Sequence, residues 1–383
     1  MAEDVVQETL IKALNVWKIK GIPDNPTAWL FRVARNHAID VLRKNKQTQQ
    51  LDLEQPLLHS EYTLNQSLNG LFNQESVTDN QLKMMYVCCN PVLSPESQIS
   101  LVLKTLCGFS IKEIAQALLS KEEAVSKRIR RAKETFRKEK IAFQLPDNEQ
   151  LKDRTTKVLN AIYLLFNQGY HSNSGNELIR KDLIQESISL AKLVADNPAT
   201  SNTEAYALLA LMCFHVAREQ SRVNEQGDII LLENQNRALW DSELIQIATN
   251  YLNKASEGES ISSYHLEAAI AFEHCAAPTY AKTNWPHILH YYNLLLKANP
   301  SPILELNRAV VINELSGPDS ALAALNKIKG LDDHYLFHSF LGNIFRDLNE
   351  PLKAKKAYLK AMALTPSESE KKMLSKRLEN LSF

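Results

Sequence analysis

The side chains best suited to chemistry form a basic run near residue 130. The segment 125–140 contains eight Lys or Arg and two Glu side chains. Such a run can neutralise nucleic-acid phosphates, and Arg or Lys near a helix start can reach guanine edges in the major groove. A solvated face of an ordinary surface helix is the alternative interpretation. The side chains predicted to contact DNA are Lys127, Arg128, Arg130, Arg131 and Lys133.

The segments around this run predict a helix-turn-helix. Ser94 followed by Pro95 is typical of a helix start. Two further pairs have the spacing of a capping box, namely Ser110 with Glu113 and Ser120 with Glu123. Gly108 can end the preceding helix. The pattern predicts helices near 95–107, 111–118 and 121–140.

The third of these helices is predicted to have two faces. Its apolar stripe steps by four, three and four residues and consists of Val125, Ile129, Ala132 and Phe136. The opposite face carries Lys127, Arg130, Arg131 and Lys138. The helix should therefore pack by one face and leave the other for phosphates.

A second helix with a basic face is predicted at 27–45. The residues expected on its buried face are Leu30, Val33, Ala34, His37 and Val41. The polar residues expected on or beside its outer face are Arg32, Arg35, Asn36 and Arg43. We interpret His37 as a packed core residue rather than a ligand or a base.

Composition predicts an all-α protein with four regions. Apolar residues recur at helical spacing, and only 10 of the 383 residues are Gly. The net charge is +4 over residues 1–146 and −4 over residues 147–383. Residues 47–82 contain no Lys or Arg and predict a linker. The expected regions are 1–46, 47–82, 83–146 and 147–383.

Several motifs resemble a known family. Residues 4–10, 27–36 and 39–43 resemble region 2 of sigma-70 factors, more narrowly of the extracytoplasmic-function sigma factors. Residues 95–140 resemble region 4 of the same factors. Residues 159–170, 232–241, 283–286 and 300–310 resemble a subgroup that carries a long C-terminal extension related to tetratricopeptide repeats (TPR).

The resemblance implies a non-enzymatic factor that binds core RNA polymerase and promoter DNA. It places Asp4, Gln7 and Glu8 on the polymerase-binding surface. It assigns contacts with the −10 element to Arg32, Arg35, Asn36 and Arg43. The −35 element would be read by the basic run described above. It also implies that the extension regulates the factor in cis, through a surface that can bind a protein partner.

Spacing also supports the repeat. Gly342, Phe345, Ala354 and Tyr358 occupy the small and aromatic positions of a 34-residue helix–turn–helix repeat starting near Tyr335. A matching unit is predicted to start near Pro302. Stacked helical pairs of this kind commonly form a concave binding surface.

The cysteines, the apolar runs and the N-terminus limit the possible functions. The five cysteines lack a CxxC pair, which fits a reducing cytoplasm and neither a disulfide framework nor a metal site. No apolar run reaches membrane-spanning length, so we expect a cytoplasmic protein without a cofactor. Region 2 of the family normally has further helices before Asp4, so part of it is expected to be missing. A TPR-type scaffold with a degenerate sigma remnant is therefore the alternative function.

Overall fold

The regular structure of the chain is helical. The structure is a computed structural model that describes residues 7–11, 13, 33–34, 79–118, 120–170, 177–224 and 228–381. Within these residues the only β-type pairing is one isolated bridge, between Val223 and Ile229. The predicted all-α class is confirmed.

Backbone contacts divide the chain into two compact units. The first comprises Met1–Thr63 and Val87–Phe143, and the second comprises Leu64–Tyr86 and Gln144–Phe383. Helix α1 (Asp79–Cys88) begins inside the segment predicted as a linker and crosses the boundary between the two ranges. Apart from this helix start, the predicted linker lies outside the described residues.

The first unit contains the helices α2 (Pro95–Thr105), α3 (Ile111–Ala117) and α4 (Glu122–Lys138). Helices α2 and α3 both pack against α4. The side chains that fill the space between them are fully or almost fully buried, and they include Leu101, Leu103, Phe109, Ile114 and Val125. Burial of these apolar groups stabilises the relative placement of the three helices.

The second unit is a helical array. Its α-helices are α5 (Asn148–Tyr170), α6 (Glu177–Asp196), α7 (Thr203–Ala217), α8 (Ser242–Ala255), α9 (Ser263–Ala276), α10 (Trp285–Ala298), α11 (Pro302–Leu325), α12 (Tyr335–Asp347), α13 (Pro351–Leu364) and α14 (Glu368–Glu379). Short 3₁₀ helices occur at Glu219–Ser221, Leu232–Asn234, Arg237–Leu239 and Tyr280–Lys282.

Helix α7 is the central element of the first half of the array. It packs against α5, α6, α8 and α9, and its side chains are buried on nearly all sides. A helix that is apolar all round requires such surroundings. From α9 onwards, each helix packs against the next one along the chain.

The two units predicted as repeats contain helical pairs. Helix α11 is interrupted at Gly317, whose φ of 79° is left-handed and which precedes Pro318, so the range Pro302–Leu325 contains two helices. Helices α12 and α13 pack together, and Ala354, Tyr358 and Ala361 are fully buried there. The assignment of these pairs to the TPR class remains a prediction.

Candidate nucleic-acid interface

Polar side chains fix the start of α2. The Ser94 hydroxyl accepts a hydrogen bond from the backbone N–H of Ser97 at 3.4 Å, and Pro95 is the first helical residue. The buried Gln98 amide donates to the carbonyl oxygens of Asn90 and Leu93 at 3.0 and 3.1 Å. These bonds confirm the predicted helix start and hold the preceding turn against α2.

The turn between α2 and α3 has the predicted geometry. Gly108, three residues after the last residue of α2, has a φ of 75°, a left-handed conformation that favours glycine in this turn. The Ser110 N–H donates to Glu113 Oε2 at 2.7 Å, and the Glu113 N–H donates to Ser110 Oγ at 3.2 Å. The first predicted capping box is therefore confirmed, and it fixes where α3 begins.

The second predicted capping box is wrong. The N-cap of α4 is Lys121 instead of Ser120, and it makes no side-chain capping bond. The one-residue shift removes Glu123 from the position that a capping box requires. The Ser120 hydroxyl instead accepts a hydrogen bond from Arg128 Nη1 at 3.2 Å. Arg128 therefore holds the turn before α4.

Helix α4 has the predicted apolar stripe. Val125, Ile129 and Ala132 are 0%, 6% and 2% exposed, and Phe136 is half-buried. Four of the five side chains predicted to read the −35 element are exposed on other faces of this helix, namely Lys127, Arg130, Arg131 and Lys133. Arg128 is half-buried. The structure thus separates Arg128 from the other four by its burial and by its bond to Ser120.

The charges on the exposed face are weakly engaged within the chain. Arg130 lies 3.7 Å from Glu134 in a solvent-exposed pair, which contributes little to stability and can exchange for another anion. The pKa of Glu96 is lowered by hydrogen bonds from its own N–H and from Ser94, and the charge of Arg128 adds to this effect. The face can therefore offer cations to a phosphate backbone at a small cost.

The predicted polymerase-binding residues are only partly described. Gln7 and Glu8 are exposed on a helical stretch whose Thr9 and Ala13 are 3% exposed. Asp4 lies outside the described residues, as do the predicted −10 contacts Arg32, Arg35, Asn36 and Arg43. Their placement stays a prediction.

The polar side chains of His265 and Tyr163 in the array have structural partners. His265 Nδ1 lies 3.1 Å from the Ser262 N–H in a capping arrangement at the start of α9. Tyr163 donates to Glu267 Oε2 at 2.6 Å, and burial raises the pKa of Glu267. Within the described part of the chain, no cluster of three or more His, Cys, Asp or Glu residues can hold a metal ion.

The chain matches three known families over separate ranges. Residues 1–48 match "Sigma-70 region 2", residues 85–136 match "Sigma-70, region 4", and residues 154–256 match "Family of unknown function (DUF6596)". It is 33% identical over 386 residues to "Uncharacterized protein R00370" of Rhizobium meliloti (strain 1021), covering 100% of this chain and 90% of that protein. The chain belongs to the sigma-70 family.

A second relative of this sigma factor is similar over the N-terminal part. This chain is 27% identical over 156 residues to "ECF RNA polymerase sigma factor SigX" of Bacillus subtilis (strain 168), and the match covers 40% of this chain and 79% of that protein. No solved structure matches the chain. The matches to sigma-70 regions 2 and 4 confirm the predicted family and the non-enzymatic class. The helical extension follows these two regions.

Membership in the sigma-70 family implies two partners, core RNA polymerase and promoter DNA. The region 4 match, residues 85–136, includes α2, α3 and most of α4 with its basic face. Among the residues that the structure describes, no helix combines the length and apolar character needed to cross a bilayer. All five cysteines are free thiols, and four of them are buried.

Proposed function

We propose that this sigma factor directs RNA polymerase to specific promoters by reading the −35 element with the exposed face of α4. The observation that supports this assignment is the division of α4 into a buried apolar stripe and an exposed basic face. Lys127, Arg130 and Arg131 are the proposed principal contacts, with Lys133 beside them. Arg128 is proposed to position α4 through Ser120 and to reach a phosphate at its edge.

Polymerase binding and −10 recognition are proposed from the family resemblance. Asp4, Gln7 and Glu8 would contact core polymerase, and the exposure of Gln7 and Glu8 fits that role. Region 2 would hold the melted strand through Arg32, Arg35, Asn36 and Arg43. The name of the Bacillus relative, an RNA polymerase sigma factor, supports the same partner for this chain.

The test of −35 recognition is a triple substitution, Lys127→Ala with Arg130→Ala and Arg131→Ala. Because the three side chains are exposed, the variant should keep its thermal midpoint while the holoenzyme loses promoter affinity. A lost base contact costs about 1–3 kcal/mol, and each lost phosphate contact lowers the salt slope by about one unit. Gel-shift titrations at several salt concentrations measure both effects.

A charge-matched control is available on α13. Substituting Lys355, Lys356 and Lys360 with Ala removes the same formal charge from an exposed surface of the array. This control should bind promoter DNA like the parent chain. Equal promoter affinities for the parent and the α4 variant would show that the exposed face of α4 does not contribute to promoter binding.

We further propose that the helical extension, residues 147–383, regulates the sigma regions in cis. It exceeds half of the chain and has a net charge of −4, which disfavours a role in binding DNA. A TPR-like surface in this extension would bind a protein partner. Binding of that partner would then shift the factor between active and inactive populations.

The test of cis regulation compares the full chain with a chain ending at Pro146 in promoter-dependent transcription with core polymerase. Tyr86 is fully buried, bonds Thr155, and accepts a hydrogen bond on its carbonyl oxygen from Arg154 at 2.9 Å. The shortened chain therefore needs a check of helix content and cooperative melting. A changed rate from a folded shortened chain supports regulation, whereas an unchanged rate with no captured protein partner contradicts it.

A further inference from the structure

Two arginine side chains of the array lie against one buried indole ring. The guanidinium carbon of Arg218 is 5.4 Å from the centroid of the Trp240 ring, and that of Arg237 is 4.3 Å from it. Trp240 is 8% exposed, and its indole N–H donates to Ser221 Oγ at 2.8 Å. A rigid aromatic ring therefore brings two cations into one region.

Neither Arg218 nor Arg237 occurs in an ion pair among the residues that the structure describes. The nearby Arg222 also lacks such a pair, and its guanidinium carbon lies 4.1 Å from the Tyr170 ring centroid. Cation–π contacts stabilise each guanidinium group but do not cancel the repulsion between like charges.

The same groups carry buried nitrogen atoms without a hydrogen-bond partner. These atoms are Arg218 Nε, Arg222 Nη1, Arg237 Nη2 and His274 Nδ1. Buried polar atoms are nearly always paired in native proteins, so the unpaired nitrogens of Arg218, Arg237 and His274 require an explanation. A hydrogen-bond acceptor that binds from solution would provide partners for these nitrogens.

Arg237 is already held in a fixed orientation. Its Nη1 donates to the carbonyl oxygens of His274 and Ala277, both at 2.6 Å. The other terminal nitrogen, Nη2, is the one that has no partner. One edge of the guanidinium is therefore anchored while another part remains available, which is the arrangement expected of a preorganised binding group.

Burial is the main cause of the shifted pKa values in this cluster, and the charges of the two arginines act on the same groups. The pKa of His274 is lowered to about 3 by burial and, secondarily, by the charges of Arg218 and Arg237. Burial raises the pKa of the Cys275 thiol to about 11, although both arginines act against that rise. The pKa of Arg237 is lowered by burial and then by Arg218. The cluster is thus electropositive and half-buried.

We propose that Arg218 and Arg237, with His274 Nδ1 as a third contact, bind an oxyanion carried by a small molecule. Guanidinium groups match the geometry of phosphate and carboxylate oxygens and form short charge-assisted bonds with them. This binding site is independent of whether the extension regulates transcription.

The test is anion binding to the full chain, measured by calorimetric titration and by thermal melting. The probes are inorganic phosphate, pyrophosphate and citrate, each compared with sodium chloride at equal ionic strength. Phosphate or pyrophosphate should bind saturably and raise the melting midpoint if the site prefers phosphoryl groups. If the site prefers carboxylates, only citrate should bind saturably and raise the melting midpoint. Binding by neither class would overturn the proposal.

The variant Arg218→Gln gives a readout that a merely structural arginine would not give. The Arg218 side chain forms no hydrogen bond with any described residue, so its replacement relieves repulsion with Arg237 when no anion is bound. The melting midpoint without anion should stay equal or rise, while the affinity for the anion falls roughly tenfold or more. A lower midpoint with undiminished affinity would contradict the proposal.

Two further variants complete the test. Arg237→Lys keeps the charge but loses the planar fork, so affinity should fall in a chain that still melts cooperatively. Lys254→Gln is the matched control, because Lys254 Nζ also lies near aromatic rings, 5.6 Å from Tyr206 and 5.5 Å from Tyr251. It should bind the anion like the parent. Equal losses in the control and in Arg218→Gln would indicate a nonspecific charge effect and overturn the site.

Discussion

At the residue scale, Gly342 shows why the crossing of α12 and α13 needs a small side chain. A Cβ atom at this position would lie 2.4 Å from Tyr358 Cε1 and 2.5 Å from Cδ1. Tyr358 is fully buried, and its hydroxyl donates to Asn343 Oδ1 at 2.8 Å. The ring therefore has little freedom to move aside. The predicted need for a small residue here is explained by this one ring.

We predict that Gly342→Ala lowers the free energy of unfolding by about 1–3 kcal/mol. The direction is informative, because alanine in an open helical position would add about 1 kcal/mol of helix propensity. Urea denaturation of the full chain measures the change. In a double-mutant cycle, Tyr358→Leu should recover part of the loss, since it removes the atoms that the new Cβ meets. Strictly additive effects would contradict the proposed clash.

Arg128 also differs from its basic neighbours at the residue scale. Sequence spacing places all five basic side chains outside the apolar stripe, but only the structure gives Arg128 an acceptor at Ser120. The cause is the turn before α4, whose N-cap is Lys121 without a side-chain bond. A hydrogen bond between residues eight positions apart leaves no periodic signal in the sequence.

At the element scale, α3 depends on its capping box. The helix contains only seven residues, Ile111–Ala117, and so it has few internal hydrogen bonds. We predict that Ser110→Ala lowers the stability of the first unit by about 1 kcal/mol, because the Glu113 N–H loses its acceptor. Thermal melting of the full chain, followed by helix content, measures this loss.

The control for that prediction is Ser126→Ala. Ser126 is exposed inside α4, where alanine favours the helix. This control should be neutral or slightly stabilising. A loss of equal size in both variants would show that the hydroxyl of Ser110 contributes nothing specific to α3.

The helix-turn-helix could be predicted because its determinants are local. Capping residues, one left-handed glycine and an apolar stripe all act within a few turns of sequence. The N-cap of α4 could not be predicted in this way, because two adjacent residues, Ser120 and Lys121, can both occupy that position. The proposed Arg218–Arg237–His274 site could not be predicted either, although Arg237 and Trp240 lie in the motif at residues 232–241. The contacts of Arg237 with His274 and Ala277 span 37 and 40 residues.

At the scale of the whole helical array, one carboxylate joins distant segments. Asp228, which follows the central part of the array, forms ion pairs with Lys372 and Lys376 on α14. The Lys376 Nζ lies 2.6 Å from Asp228 Oδ2 across 148 residues of sequence. Hydrogen bonds from the two lysines lower the pKa of Asp228 to about 2. No sequence pattern predicts this pairing, because each of the three charged residues by itself is typical of an ordinary exposed surface position.

The contact gives a pH-dependent prediction for Asp228→Asn. Since the folded pKa lies below the ordinary value of 3.8, the carboxylate stabilises the array above about pH 4. That contribution is lost as the pH falls towards about 2. The variant should therefore melt below the parent near neutral pH, and the difference should shrink on acidification and in high salt.

Melting curves of the parent and the variant between neutral and acidic pH measure this difference. The control is Glu368→Gln on the same helix, because Glu368 pairs with Lys371 at 2.7 Å only one turn away and is 84% exposed. An exposed local pair contributes little, so this control should follow the parent at every pH. A constant gap between the parent and Asp228→Asn from neutral to acidic pH would mean that residue 228 stabilises the array through packing rather than charge. A gap that closes on acidification identifies Asp228 as the electrostatic link between α14 and the middle of the array.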